Sequence, residues 1–181
     1  MKDIHHTCRC TGQQFTFKEW CAWLDSHGRA GENSGRFVAL SHNGFDFNIH
    51  DVCLTPNIPV RLFNAYCRVD VETAQSPNGR WDYGLNVNLH NASHLHGAAF
   101  VDKAGNGYET EAAAILAALL DARKSAEHEL ANYSGRSRQD TEDDEDSERV
   151  KDSALASHIR NIIRQIDDQR RATAFKQLTL F

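Results

Sequence analysis

Alternation of apolar and polar residues is clearest in the middle of the chain. Residues 67–72 and 83–89 both place apolar side chains at every second position. A period of two residues is typical of a strand with one buried face. A Ser-Pro-Asn-Gly turn at 76–79 separates these stretches, and a third apolar stretch follows at 95–101. The pattern predicts an antiparallel meander of three strands.

A different period precedes this meander. Thr16 and Glu19 have the spacing of a capping box, and Phe15 is placed to pack against Trp20. Apolar residues then recur at helical spacing and predict a short aromatic helix that contributes to the core, with Gly28 as its C-terminal cap. The residues of this face are Phe17, Trp20, Cys21 and Leu24.

Turn-forming residues organise the stretch between this helix and the meander. Asn43-Gly44 lies between two apolar runs and is the dipeptide favoured by type I′ hairpins. Residues 54–60 contain Pro56 and Pro59, which predict a loop or an edge strand.

The second half of the chain predicts two helices separated by a polar stretch. An alanine-rich helix is expected over 110–130, and an amphipathic helix over 153–174. Between them, residues 134–152 lack apolar side chains almost entirely and predict a flexible acidic linker. The apolar face of the second helix consists of Leu155, Ile159, Ile162 and Ile166.

These elements together predict an α+β fold, with a small antiparallel sheet, helices on one face and a C-terminal amphipathic helix after the acidic linker. The expected organisation is a globular domain over 1–133, a linker over 134–152, a helix over 153–176 and a tail over 177–181. The order of strands and helix resembles the first half of a ribonuclease H-like fold. It is equally compatible with double-stranded-RNA-binding and other small α+β domains.

Charge is unevenly distributed along the chain. Seven carboxylates lie between Asp140 and Glu148, whereas the whole chain has a formal net charge of −5, so the remainder carries +2. The chain outside the acidic run is nearly neutral, which does not indicate direct nucleic-acid binding. Contact with nucleic acid is therefore expected to be indirect. The acidic run itself is interpreted as a solvated spacer, with DNA mimicry as the alternative.

The sequence favours a cytoplasmic protein with no membrane partner. No apolar stretch reaches membrane-spanning length, and the polar N-terminal residues do not resemble a signal peptide. The five cysteines, an odd number, argue against a disulfide framework.

Two groups of histidines and cysteines are candidate metal ligands. Zinc sites need about four nitrogen or sulfur donors in tetrahedral array, and neither group has the usual Cys-x-x-Cys pair. The sequence therefore favours no cofactor, with zinc as the alternative. Cys21, Cys53 and Cys67 are interpreted as small core residues. The candidate ligands are His5, His6, Cys8 and Cys10 in one group, and His90, His94 and His96 in the other.

Catalysis is a weaker expectation, and the sequence leans toward a protein that is not an enzyme. Asp70 on a predicted strand and Glu111 at the start of the next helix occupy places similar to those of two metal-binding acids in ribonuclease H-like nucleases. The later strand and helix that carry the remaining acids of that family are not evident. A metal-dependent nuclease is therefore an alternative function.

The apolar face of the C-terminal helix offers a surface for association. A helix isolated by a flexible linker needs an apolar partner, because helix propensity sustains it only weakly. Leu155, Ile159, Ile162 and Ile166 are therefore predicted to form a homodimer or partner face. A further alternative is an oligomerising structural protein whose tail packs on its own fold.

The last five residues are the most specific motif. Gln177, Leu178, Thr179, Leu180 and Phe181 resemble the short peptide with which bacterial polymerases and repair proteins bind the DNA sliding clamp. That motif reads Gln-Leu, then Ser or Asp, then Leu-Phe, so only Thr179 departs from it. Leu180 and Phe181 would be apolar anchors for a pocket, and the amide of Gln177 would give and accept hydrogen bonds beside it.

The resemblance implies a non-enzymatic interaction protein of bacterial, phage or plasmid origin. Its expected partner is the sliding clamp of the bacterial DNA polymerase, and its expected role is in replication, in repair, or in interference with host machinery or defence. A weak peptide becomes effective when a second contact raises its local concentration. The folded domain would supply that contact.

Overall fold

The computed structural model describes residues 3–26, 34–90, 92–136 and 145–178. They form an α+β fold of small antiparallel sheets and three α-helices, as predicted. The helices are Phe17–Ser26 (α1), Glu111–Arg136 (α2) and Glu145–Leu178 (α3), and a 3-10 turn covers Ser34–Arg36. The strands are Ile4–Thr7 (β1), Gln14–Thr16 (β2), Val38–His42 (β3), Phe45–Asn48 (β4), Asn57–Phe63 (β5), Arg68–Gln75 (β6), Trp81–Asn88 (β7) and Ser93–His96 (β8).

The largest sheet is the meander β5-β6-β7-β8, in which consecutive strands are hydrogen-bonded neighbours. The predicted strands at 67–72 and 83–89 correspond to β6 and β7. Pro59 lies in the edge strand β5, where a missing backbone N–H can face solvent, and Pro56 immediately precedes that strand. The third predicted strand is shorter than expected, since β8 ends at His96.

Two hairpins account for the remaining strands. β3 and β4 pair antiparallel around Asn43 and Gly44, whose φ angles of 48° and 85° confirm the predicted turn with positive φ at both positions. β1 and β2 form a second two-stranded sheet. Their short length left no clear alternation in the sequence, so this hairpin was not predicted.

Helix α1 begins with the predicted capping box. The Thr16 N–H donates to the Glu19 carboxylate at 2.8 Å, and the Glu19 N–H donates to the Thr16 hydroxyl at 3.3 Å. The expectation that its apolar face is buried was wrong. No residue of α1 is buried, and Phe17 is 64% exposed. The helix instead uses two half-buried tryptophans, Trp20 and Trp23, to cover a small cluster of Cys8, Phe15 and Ile49.

The chain divides into two compact units. The first comprises residues 1–57, 72–83 and 97–114, and the second comprises 58–71, 84–96 and 115–181. The predicted domain over 1–133 thus contributes to both units. In the first unit, a core cluster joins Phe45, Phe47, Cys53, Ala74, Ala98 and Phe100.

Helix α3 belongs to the second unit and packs within it. Leu155 is 7% exposed, and Ile159, Ile162 and Ile166 are fully buried. Arg123 of α2 pairs with Asp167 of α3 at 3.0 Å. The Asn64 amide, in the loop after β5, donates to the His158 carbonyl at 2.9 Å. The chain itself covers these four apolar side chains, so their predicted exposure as a homodimer or partner face was wrong. Association of the protein with a second copy stays a prediction.

The segment between the two long helices is shorter than the linker predicted over 134–152. Helix α2 continues to Arg136, and α3 begins at Glu145, so part of the acidic run is helical. Residues 137–144, and Gly28 after α1, lie outside the described residues. Neither long helix, over the residues described, has an apolar stretch that could cross a bilayer.

We expect Ile162→Ala to lower the free energy of unfolding by about 2–5 kcal/mol, because it removes a fully buried side chain and leaves a cavity. Ile58→Ala is the matched control, since Ile58 is 42% exposed, and its cost should stay below about 1 kcal/mol. Urea denaturation of both variants measures the difference. Equal costs would contradict the burial of this face of α3.

Candidate functional site

The turn after β1 brings two cysteines close together. The Cys8 N–H donates to the Gln13 carbonyl at 2.9 Å, and the Gly12 N–H donates to the Cys8 carbonyl at 2.7 Å. Gly12 has φ of 71°, a conformation that glycine adopts without steric cost. This tight turn holds Cys8, which is fully buried, and Cys10, which is half-buried, on its inner side.

A second loop, after β4, presents a carboxylate to this turn. The side-chain oxygen of Asn48 accepts the backbone N–H groups of His50 and Val52, at 2.9 and 3.0 Å. Its amide donates to the Gly35 carbonyl at 2.8 Å. Asp51 then adopts φ of 65°, which few residues other than Gly, Asn and Asp tolerate well, and it is only 5% exposed. The loop therefore fixes the direction of the Asp51 side chain.

Asp51 is the centre of the resulting cluster. Its Oδ1 accepts the Cys10 N–H at 3.0 Å and the Cys10 thiol at 3.2 Å. The Cys8 Sγ lies 3.9 Å from the same oxygen. The other oxygen, Oδ2, accepts Arg9 Nε at 3.0 Å. The buried carboxylate is thus shared between a cation and the two cysteines.

The electrostatics of this region favour the neutral forms of the Cys10 thiol and the His50 imidazole. Burial, followed by the hydrogen bond to Asp51, raises the pKa of the Cys10 thiol far above its usual value. Cys10 therefore remains a thiol at neutral pH and donates a hydrogen bond to the Asp51 carboxylate. Burial, followed by the nearby His6, lowers the pKa of His50 and favours its neutral imidazole.

Aromatic rings surround this region. The His6 ring lies 4.1 Å from Trp20, measured between centroids, and Trp20 stacks on Trp23 at 5.6 Å. His50 contacts the edge of Trp20 at 5.6 Å. These rings pack together beside the first histidine and cysteine group.

The structure brings together part of the first predicted ligand group and adds one residue to it. The Sγ atoms of Cys8 and Cys10 and a carboxylate oxygen of Asp51 lie within 4.8 Å of one another. Among the described residues, no other group of three such donors is found. Asp51 escaped the sequence prediction because it lies about forty positions from the cysteines, and a lone Asp in a loop carries no spacing signal.

The predicted histidines take other positions. His5 packs edge-on against Phe17 at 5.0 Å, and His6 Nε2 lies 3.4 Å from the Ile49 carbonyl. In the second group, the rings of His94 and His96 are 5.4 Å apart on β8. His90 lies at the edge of Tyr66. Cys53 and Cys67 are buried thiols whose pKa values burial raises, whereas Cys21 is half-buried.

The two carboxylates of the nuclease alternative each have local partners. Asp70, in the second unit, pairs with Arg68 at 2.7 Å. Its second oxygen is buried and has no hydrogen-bond partner among the described residues. The residue also lines an open cavity of about 660 Å³. Glu111, in the first unit, accepts the Thr73 hydroxyl at 2.6 Å and the Asn57 amide at 3.1 Å. Nuclease activity stays a prediction.

The C-terminal motif begins inside helix α3. The helix includes Gln177 and Leu178, whereas the sequence predicted that it ends at 176. Phe175, two positions before the motif, is 68% exposed. Thr179, Leu180 and Phe181 lie outside the described residues.

Comparisons with known proteins add no relative. No protein-family model, no curated protein and no solved structure matches this chain. The function is therefore argued from the chain's own residues.

Replacing Asp51 should destabilise the protein in a way that depends on the new side chain. Asp51→Ala leaves the Cys10 N–H and Arg9 without their acceptor, and should lower the free energy of unfolding by about 1–3 kcal/mol. Asp51→Asn keeps one acceptor oxygen and tolerates positive φ, so its cost should be clearly smaller. Denaturation in buffer containing EDTA compares them. Equal costs would show that the acceptor oxygen kept by Asn contributes little to stability.

Proposed function

We propose that this protein binds the bacterial DNA sliding clamp through Gln177, Leu178, Thr179, Leu180 and Phe181. The observation that carries the proposal is the match of four of these five residues to the clamp-binding peptide. Leu180 and Phe181 enter an apolar pocket on the clamp, and Gln177 forms hydrogen bonds at its rim.

The anchoring of α3 supports this proposal. Its isoleucine face is buried within the second unit as far as Ile166, and Thr173 is the last buried residue described. Beyond that point the helix is more exposed, with Phe175 and Lys176 both exposed, before it reaches the motif. A helix fixed along its length and exposed near its end can present a peptide without unfolding.

Attachment of the short motif to folded units explains how it can act despite weak binding. A five-residue motif buries little surface, so its affinity is expected to be modest. The folded units then act where the clamp is, on replicating or repaired DNA, and a contact from them raises the effective concentration of the motif. Because clamp clients share one groove, this protein also competes with polymerases and repair proteins for it.

Removing the two apolar anchors should strongly weaken clamp binding. Leu180→Ala with Phe181→Ala is expected to weaken binding to a purified bacterial clamp by on the order of 100-fold, since anchors of this kind dominate small interfaces. Phe175→Ala is the matched control, because it removes an exposed aromatic residue outside the motif and should leave the affinity within about threefold. Surface plasmon resonance measures all three proteins.

The rival in which the tail packs on the protein's own fold gives a different result. If the tail were part of the fold, the double variant would unfold at a clearly lower temperature and would bind the clamp no worse than the wild type. Unchanged thermal stability together with lost binding supports the clamp proposal. Unchanged binding contradicts it.

A further inference from the structure

We propose that Cys8, Cys10 and Asp51 form a zinc-binding site. The three donor atoms come from two loops of the first unit and already lie within 4.8 Å of one another. This proposal is independent of clamp binding, because it concerns residues of the first unit and a different ligand.

The distances fit zinc coordination. With zinc–sulfur bonds of about 2.3 Å and a zinc–oxygen bond of about 2.1 Å, a tetrahedral site places a sulfur and an oxygen ligand about 3.6 Å apart. The two sulfur-to-Oδ1 distances of 3.2 Å for Cys10 and 3.9 Å for Cys8 lie on either side of that value. Only small side-chain movements separate the present arrangement from a coordinated one.

The charges of the site also fit a divalent ion. Zinc displaces the protons of both thiols, which pass to solvent, and forms two zinc–thiolate bonds and one zinc–carboxylate bond. Two thiolates and one carboxylate carry three negative charges, which zinc and the Arg9 guanidinium together balance. Without the ion, the same pocket buries two polar sulfur groups around a single carboxylate oxygen.

The surrounding hydrogen bonds orient the ligands before an ion binds. The Cys10 N–H and Arg9 Nε both donate to Asp51, and the Asn48 side chain fixes the backbone on either side of it. Such outer contacts increase metal affinity because they reduce the reorganisation that binding requires. They also explain how a Cys-x-Cys pair with an unfavourable spacing can contribute to a site, since the third ligand comes from elsewhere in the chain.

The donor set selects the kind of metal. Two thiolates favour zinc over magnesium or calcium, which take oxygen ligands. Three protein ligands leave a fourth position of the tetrahedron for solvent or another ligand. Cys10 is half-buried, so the cluster is partly exposed to solvent.

Metal analysis of untagged protein, purified under reducing conditions, tests the proposal. Mass spectrometry of the metals should find one zinc ion per chain. Cys8→Ser and Cys10→Ser should each lower zinc affinity by at least about 100-fold in competition with a chromophoric chelator, because losing a direct ligand costs at least as much as losing an outer contact. Cys21→Ser, a half-buried cysteine outside the cluster, should retain the full zinc content.

A second variant distinguishes loss of zinc binding from loss of folding. Asp51→Asn keeps the loop conformation but supplies a poorer ligand, so zinc affinity should fall at least about tenfold while the zinc-free protein melts near the wild-type temperature. Cobalt substitution gives an independent signal, since a thiolate-to-cobalt charge-transfer band should appear in the wild type and disappear in Cys8→Ser. Wild-type protein that binds no stoichiometric zinc would overturn the proposal. So would zinc binding that survives both cysteine substitutions.

Discussion

The burial of one face of helix α3 is the constraint on which the second unit depends. Ile159, Ile162 and Ile166 are fully buried, and α2 contributes a second buried apolar stripe to the same unit. The ion pair between Arg123 and Asp167 and the hydrogen bond from Asn64 to the His158 backbone then fix α3 beside α2 and the loop after β5. In this arrangement the chain itself covers the isoleucines, whereas Phe175 near the end of the helix is exposed.

The first unit depends on a different interaction, in which two loops meet at the Asp51 side chain. One loop is closed by Gly12 and the other by the side chain of Asn48, and each delivers polar groups that would be costly to bury alone. The carboxylate satisfies the Cys10 N–H and Arg9 together. The same arrangement that makes the loops compatible also brings together the three donors of the proposed zinc site. The stability of this unit and the proposed zinc site therefore depend on the same few atoms.

Local sequence signals predicted local structure well. The capping box of Thr16 and Glu19, the Asn43-Gly44 turn and the alternation along β6 and β7 each specify conformation within a few residues, and each is present. The start of α3 was placed too late because the apolar pattern begins only at Leu155, whereas the helix begins among acidic residues at Glu145. Carboxylates near a helix N-terminus are favoured by the helix dipole, so an acidic run can be helical as well as linking.

Contacts between distant parts of the chain were beyond such signals. The cysteines of the candidate site were visible as a group, but Asp51 joins them only through the packing of two loops. The predicted exposure of the isoleucine face was wrong for a related reason, since an apolar helix face looks the same in sequence whether it contacts another copy or its own chain. The C-terminal motif is the opposite case, because its five residues are adjacent and can be recognised without knowledge of the fold.

A displacement experiment tests the central claim, that the C-terminal motif occupies the client groove of a bacterial sliding clamp. A fluorescent peptide carrying a polymerase clamp-binding motif is first bound to the clamp, and its polarisation is followed as the full-length protein is added. We predict that the wild-type protein displaces the peptide completely, and that protein lacking residues 177–181 does not. Displacement by the truncated protein, or no displacement by the wild type, would contradict the account.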